Sequence, residues 1–144
     1  MKYLGIDYGT RRTGVAVCDA RGKVASPLTV IERQKELIPR LRQIIHQEEI
    51  EAVVVGLPLN MDGTVGPAAE RARKFAAELQ RSFGIPVYLE DERLSSFAAA
   101  EKLAPAGYSR ARKRKRLDAV AAADILQAFL DRHDKTSTQQ TDRC

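Results

Sequence analysis

Leu4-Gly5-Ile6-Asp7-Tyr8-Gly9-Thr10 is an apolar run that carries one carboxylate, Asp7, to its end and turns at once through Gly9. A charged side chain is rare inside a strand bound for a sheet interior. One reading makes Asp7 a turn-capping aspartate that hydrogen-bonds the following backbone. The other makes it a metal- or phosphate-facing carboxylate on a rigid scaffold. The surrounding chain has to separate the two.

Outward from this stretch, residues 2–8 and 12–19 are short and apolar, and Gly9-Thr10-Arg11-Arg12 joins them as a tight hairpin. Val24 to Ile31 reads as a third strand, on an edge or bulged because of Pro27. Together these make an antiparallel meander. The pattern then becomes helical from about Glu36 to Glu49, with Pro39 tolerable only in a first turn. Ala52 to Leu57 is a continuous apolar run, expected to be a strand buried on both faces.

Pro58 to Gly66 reads as a loop, and Pro67 opens a helix that Gly84-Ile85-Pro86 stops after Phe83. Val87 to Leu89 reads as a further buried strand, ending in Glu90-Asp91-Glu92-Arg93. Ser95 or Ser96 caps a short helix through about Leu103, and residues 104–116 form a loop. Leu117 to Arg132 is the last helix. The fold class is therefore α/β, a mixed five-stranded sheet (antiparallel meander, then parallel strands) flanked by helices. Residues 1–133 form one domain and 134–144 a disordered polar tail. In such sheets ligands bind beyond the carboxyl ends of the strands, near Asp7, Asn60–Asp62 and Asp91–Glu92.

A chain of 144 residues with 44% apolar and 30% charged content is large enough for a core without staples. No run approaches the ~18–20 apolar residues that span a bilayer. No charged-then-apolar leader precedes Tyr3, and Cys18 and Cys144 suggest neither a disulfide framework nor a metal cluster. A cytoplasmic location without membrane contact is expected. The net charge of +5 is concentrated: Arg110 to Arg116 holds six basic residues in seven, and removing them leaves 18 cations against 19 anions. Such a patch suits a polyanion, although a short charge run can also be a solvated surface loop.

The last helix offers Asp118 and Asp124. At ~100° per residue, Ala122, Ile125 and Phe129 fall within ~40° of Asp118, while Asp124, Gln127 and Asp131 lie on the other side. Asp118 thus belongs to the sheet-facing stripe and Asp124 to the polar face. A carboxylate on that stripe needs a cation, either a basic neighbour such as Lys115 or a metal. Carboxylates without a His or Cys cluster favour Mg²⁺ or Mn²⁺, and one or two such ions can promote phosphodiester hydrolysis. His46 and His133 are isolated, no Walker element lies between Gly56 and Gly66, and Ser95 and Ser96 have no triad companions. The tyrosines and phenylalanines are too scattered to suggest a stacking platform.

The chain resembles the YqgF family, also called RuvX, of Holliday-junction resolvases and pre-16S ribosomal RNA nucleases with a ribonuclease H-like fold. The resemblance runs to about residue 133. It rests on Gly5-Ile6-Asp7-Tyr8-Gly9 with Arg12-Thr13-Gly14-Val15-Ala16, and on Gly56-Leu57-Pro58 with Asn60-Met61-Asp62-Gly63. Asp91-Glu92-Arg93-Leu94-Ser95, and Asp118 with Ala121-Ala122 and Ile125-Leu126, complete it.

The resemblance implies catalytic acids at Asp7, at Asp91 or Glu92, and at Asp118, with Asp7, Glu92 and Asp118 as ligands of one or two Mg²⁺ or Mn²⁺ ions. Strand alternation allows only one of Asp91 and Glu92 to point into the site, and Glu92 is the favoured one. Arg11, Arg12, Arg93, Lys113, Arg114, Lys115 and Arg116 would contact phosphates. The implied activity is metal-dependent hydrolysis that leaves 5′-phosphates, either at the 5′ end of precursor 16S rRNA in ribosome biogenesis or at four-way DNA junctions in recombination. The protein would act as a monomer or a homodimer, and a resolvase as a C2 dimer. Two readings from other classes remain open. One is a non-catalytic RNA-binding assembly factor. The other is an actin-like phosphate binder, suggested by Asp7-Tyr8-Gly9-Thr10 but disfavoured by a length that supplies one domain rather than two.

Overall fold

The computed structural model describes residues 1–94 and 110–143, with side chains described for 1–94 and 117–133. The elements are β1 (Tyr3–Asp7), β2 (Thr13–Cys18), β3 (Ala25–Ile31), α1 (Gln34–Gln47), β4 (Ala52–Leu57), α2 (Pro67–Phe83) and β5 (Val87–Asp91). A single 3₁₀ turn (Glu92–Leu94) and the long α3 (Arg110–Arg143) follow. The strands form one sheet in the order β3-β2-β1-β4-β5. Its first two pairings are antiparallel and those of β1 with β4 and β4 with β5 are parallel, as the meander-then-parallel pattern predicts.

Alternation along the strands divides the interior into two cores. Leu4, Ile6, Val15, Val53 and Val55 face α1 and α2, where Leu37, Leu41, Phe75 and Leu79 complete the layer. Tyr3, Ala16, Cys18, Ala52 and Val54 face α3, where Ala122, Ile125, Leu126 and Phe129 close over them. The helical stripe predicted to carry Asp118 is therefore the buried one.

Helix α2 has the predicted bounds. Pro67 stands at its first position, and Gly84 ends it in the left-handed region (φ 66°) with its N–H on the Gln80 carbonyl at 3.0 Å. Pro27 lies opposite Ala16 beside a register shift on the edge strand β3.

Two helix starts and the burial of one strand differ from expectation. α1 begins at Gln34, so Pro39 stands beyond its first turn. The carbonyl it leaves unbonded belongs to Lys35, which is exposed like Pro39 itself, so water can serve it. β5 is an edge strand rather than a buried one, with Tyr88 41% and Leu89 40% exposed. A short apolar triplet says nothing about how many neighbours a strand has.

α3 starts at Arg110, so the basic run is helical rather than looped, consistent with the good helix propensity of Lys and Arg. Its backbone continues beyond Arg132 to Arg143. The tail expected to be disordered, residues 134–144, has side chains outside the described set. The short helix expected after Ser95 or Ser96 lies outside the described residues.

Candidate active site

Three glycines let α3 press onto the carboxyl end of β1. Asp7 pairs with Gly14 across β2, and Ile6 pairs with Val55, so one further step sets Asp7 level with Gly56 on β4. Asp7 shares the α3 side of β1 with Gly5, where a Cβ would stand 2.7 Å from Leu126 Cβ. At Gly14 a Cβ would lie 1.9 Å from the Asp118 carbonyl oxygen. At Gly56 it would meet Ile125 Cδ1 at 2.6 Å and Glu92 Cδ at 3.1 Å. The missing side chains thus bring Asp118 down over β2 and leave room for Glu92 over β4, one on each flank of Asp7.

This crowding has an electrostatic consequence. Burial first, then the charges of Glu92 and Asp118, raise the Asp7 carboxyl to about 7. Burial and the neighbouring Asp91 also raise Glu92. Asp118 is held by Arg12, whose Nε donates to Oδ2 at 2.8 Å, with both side chains about one-third exposed. The cation predicted for Asp118 therefore comes from the β1–β2 turn; the side chain of Lys115 lies outside the described set.

Among the described residues, no three acidic, histidine or cysteine side chains already form a metal cage. The donor chemistry nevertheless suits a hard divalent cation. Three carboxylates from distant segments interact, one is driven towards neutrality, and Arg12 occupies a second. An ion there would be held by Asp7, Glu92 and Asp118 once Arg12 has moved aside.

Asp91 is placed apart from this group. It pairs with Leu57 in the sheet, and both its oxygens accept from Arg93, which keeps its carboxyl below the usual range. Arg93 also donates from Nη1 to the Met61 carbonyl at 3.2 Å, tying the end of β5 to the β4–α2 loop. Arg11 is exposed and makes no ion pair among the described residues. The turn that carries it is pinned by Gln34 Nε2, which donates to the carbonyls of Gly9 at 2.8 Å and Thr10 at 3.0 Å. Lys113, Arg114, Lys115 and Arg116 occupy the helical turns before Asp118; their side chains lie outside the described set.

Sequence reasoning missed two polar anchors of α3. Glu90 is fully buried and pairs with Arg132 of α3. The period-2 series Tyr88, Glu90, Glu92 could have pointed to it. Part of the helix face assigned to solvent, at Asp124 and Gln127, instead lies beside β3, while Asp131 is exposed. Gln127 accepts from the Ala25 N–H at 2.9 Å and donates to the Lys23 carbonyl at 2.8 Å, and burial raises the Asp124 carboxyl.

The family model RuvX, described as Holliday junction resolvase, matches residues 1–132. A Myxococcus xanthus protein named "Putative pre-16S rRNA nuclease" is 46% identical over 140 residues, spanning 96% of this chain and 93% of the relative. A Geobacillus kaustophilus protein of the same name is 47% identical over 135 residues, 91% and 98% of the two chains. Among solved structures, Thermus thermophilus RuvC in complex with a Holliday junction substrate superposes with a TM-score of 0.60 at 21% identity, covering 93% of this chain and 96% of that one. That last likeness concerns the fold, which is the expected ribonuclease H-like one.

Proposed function

This chain belongs to the RuvX family, and from that premise we propose that it is a divalent-metal-dependent nuclease acting on structured nucleic acid. The observation that carries the reading is the grouping of a buried Asp7 with Glu92 and Asp118; burial first, and then these two charges, raise the Asp7 carboxyl to about 7. A Mg²⁺ or Mn²⁺ ion at that site would supply Lewis-acid activation of water and of the phosphate. Asp7, Glu92 and Asp118 would hold it there, each from a different element. Arg12, displaced from Asp118, turns to a phosphate oxygen beside the scissile bond. Arg11 on the same turn and the run Lys113–Arg116 before Asp118 bind flanking phosphates. Arg93 stays on Asp91 and keeps the strand end rigid, so its contribution is to position Glu92.

The names of the relatives favour precursor 16S rRNA as substrate, and the reading adds cleavage at its 5′ end with products bearing 5′-phosphates. The family description favours the second reading, a four-way DNA junction cut by a homodimer. Incubation of the protein with labelled precursor rRNA ends, linear duplex RNA and four-way junctions, with Mg²⁺, Mn²⁺ or EDTA, separates them. Metal-dependent trimming of the rRNA precursor supports the first, and symmetric junction nicking supports the second. Cleavage of nothing under any condition overturns both.

A further inference from the structure

On the sheet face opposite the carboxylates lies a groove of about 450 Å³ that the site described above does not use. Its floor is Tyr8 stacked on Phe75, ring centroids 4.1 Å apart and planes 11° from parallel. Its wall is one stripe of α2 bearing Arg71, Lys74, Glu78 and Arg81. The three cations are exposed, and none of them makes an ion pair among the described residues. Glu78 is the single anion in the lining. The charge balance of the whole chain hides this stripe, because acids elsewhere cancel it.

Spacing and continuity indicate what fits. From Arg71 to Arg81 the helix rises ~15 Å, which matches about four base-pair steps of ~3.4 Å along a duplex axis. The groove begins at Tyr8, the residue after Asp7, so the end of β1 presents the carboxylate on one side and the aromatic floor on the other. A strand engaged at Asp7 need only cross the end of β1 to reach the cations. Three cations without an ion pair among the described residues, beside a half-buried tyrosine on a buried phenylalanine, suit a polyanionic backbone far better than an apolar peptide.

We propose that the Tyr8–α2 groove is a second phosphate track, which holds the flank of the nucleic acid as it leaves the carboxylate site. The proposal rests on the nuclease reading. Binding of a labelled substrate with a long flank is measured against salt for the unaltered protein, for Arg71→Ala/Lys74→Ala/Arg81→Ala and for Glu78→Gln. All four positions are exposed, and thermal melting checks that the variants fold.

The triple variant is expected to bind at least 10-fold more weakly and to lose about 2–3 from the slope of log K against log salt. Cleavage of saturating substrate should stay within twofold. Glu78→Gln should bind several-fold more tightly. Unchanged affinity and slope in the triple variant overturn the groove while leaving the nuclease reading in place. Failure of the unaltered protein to bind any nucleic acid overturns both.

Discussion

Arg12 on the β1–β2 turn donates from Nε to Asp118 Oδ2 at 2.8 Å, joining residues 106 apart in sequence. The guanidinium thus occupies one of the three carboxylates proposed to hold a cation. A single pair this close to solvent contributes on the order of 1 kcal/mol to stability, so displacing it is inexpensive. Arg12→Ala should leave the melting temperature within a few degrees and tighten Mn²⁺ binding several-fold by calorimetry, because the ion no longer competes with Arg12. Weaker metal binding in this variant would contradict the arrangement.

Asp7 also sets a pH dependence. Its folded carboxyl titrates near 7 and its unfolded one near the ordinary 3.8. Between those values the folded state binds more protons, so this residue's contribution to stability is full below pH ~4 and is lost as pH rises to 7. The loss is on the order of 2–4 kcal/mol. Urea unfolding in EDTA should show stability falling across that window in the unaltered protein and falling much less in Asp7→Asn. At pH 8 the variant should be the more stable of the two. Superimposable pH profiles would show that Asp7 is not buried among like charges.

The glycines under α3 can be tested by adding one methyl group. At Gly14 the new Cβ would meet backbone, 1.9 Å from the Asp118 carbonyl oxygen, and nothing flexible can yield. Gly14→Ala should cost more than ~3 kcal/mol or prevent folding. At Gly56 the neighbours are side-chain atoms of Ile125 and Glu92, which can shift. Gly56→Ala should cost ~1–3 kcal/mol and weaken metal binding by moving Glu92. Chemical denaturation and metal titration of the two variants would check that order.

Glu90 and Arg132 form a pair in which only the glutamate is fully buried. Removing the guanidinium strands a buried charge, at a cost of roughly 3 kcal/mol, whereas neutralising the acid does not. Arg132→Ala should therefore destabilise more than Glu90→Gln, and the double variant should recover part of the loss. Equal and additive effects in a double-mutant cycle would mean that the pair is not coupled.

How far the sequence disclosed this architecture varies with the kind of signal. Helix α2 was legible end to end because Pro67 and Gly84 are local conformational constraints that act wherever the chain goes. Asp118 could be placed on the buried stripe because helical periodicity assigns faces without knowledge of the partner. The edge position of β5 was not legible, because exposure of Tyr88 and Leu89 depends on the absence of a neighbour. Arg12 as the partner of Asp118, and Arg132 as that of Glu90, depend on long-range approach that no local pattern encodes. Gly14 and Gly56 inside apolar strands did carry a hint: glycine in a strand interior often marks the close approach of another element.

Asp7, Glu92 and Asp118 are proposed to hold together the divalent cation that drives phosphodiester hydrolysis. The most direct measurement is Mn²⁺-dependent cleavage of labelled precursor rRNA ends and four-way junctions by the unaltered protein and by Asp7→Asn, Glu92→Gln, Asp118→Asn and Asp91→Asn. At least a 100-fold loss of rate is expected in the first three variants, with substrate binding retained, and a loss of 10-fold or less in Asp91→Asn. Undiminished metal-dependent cleavage by Asp7→Asn or Asp118→Asn would contradict it.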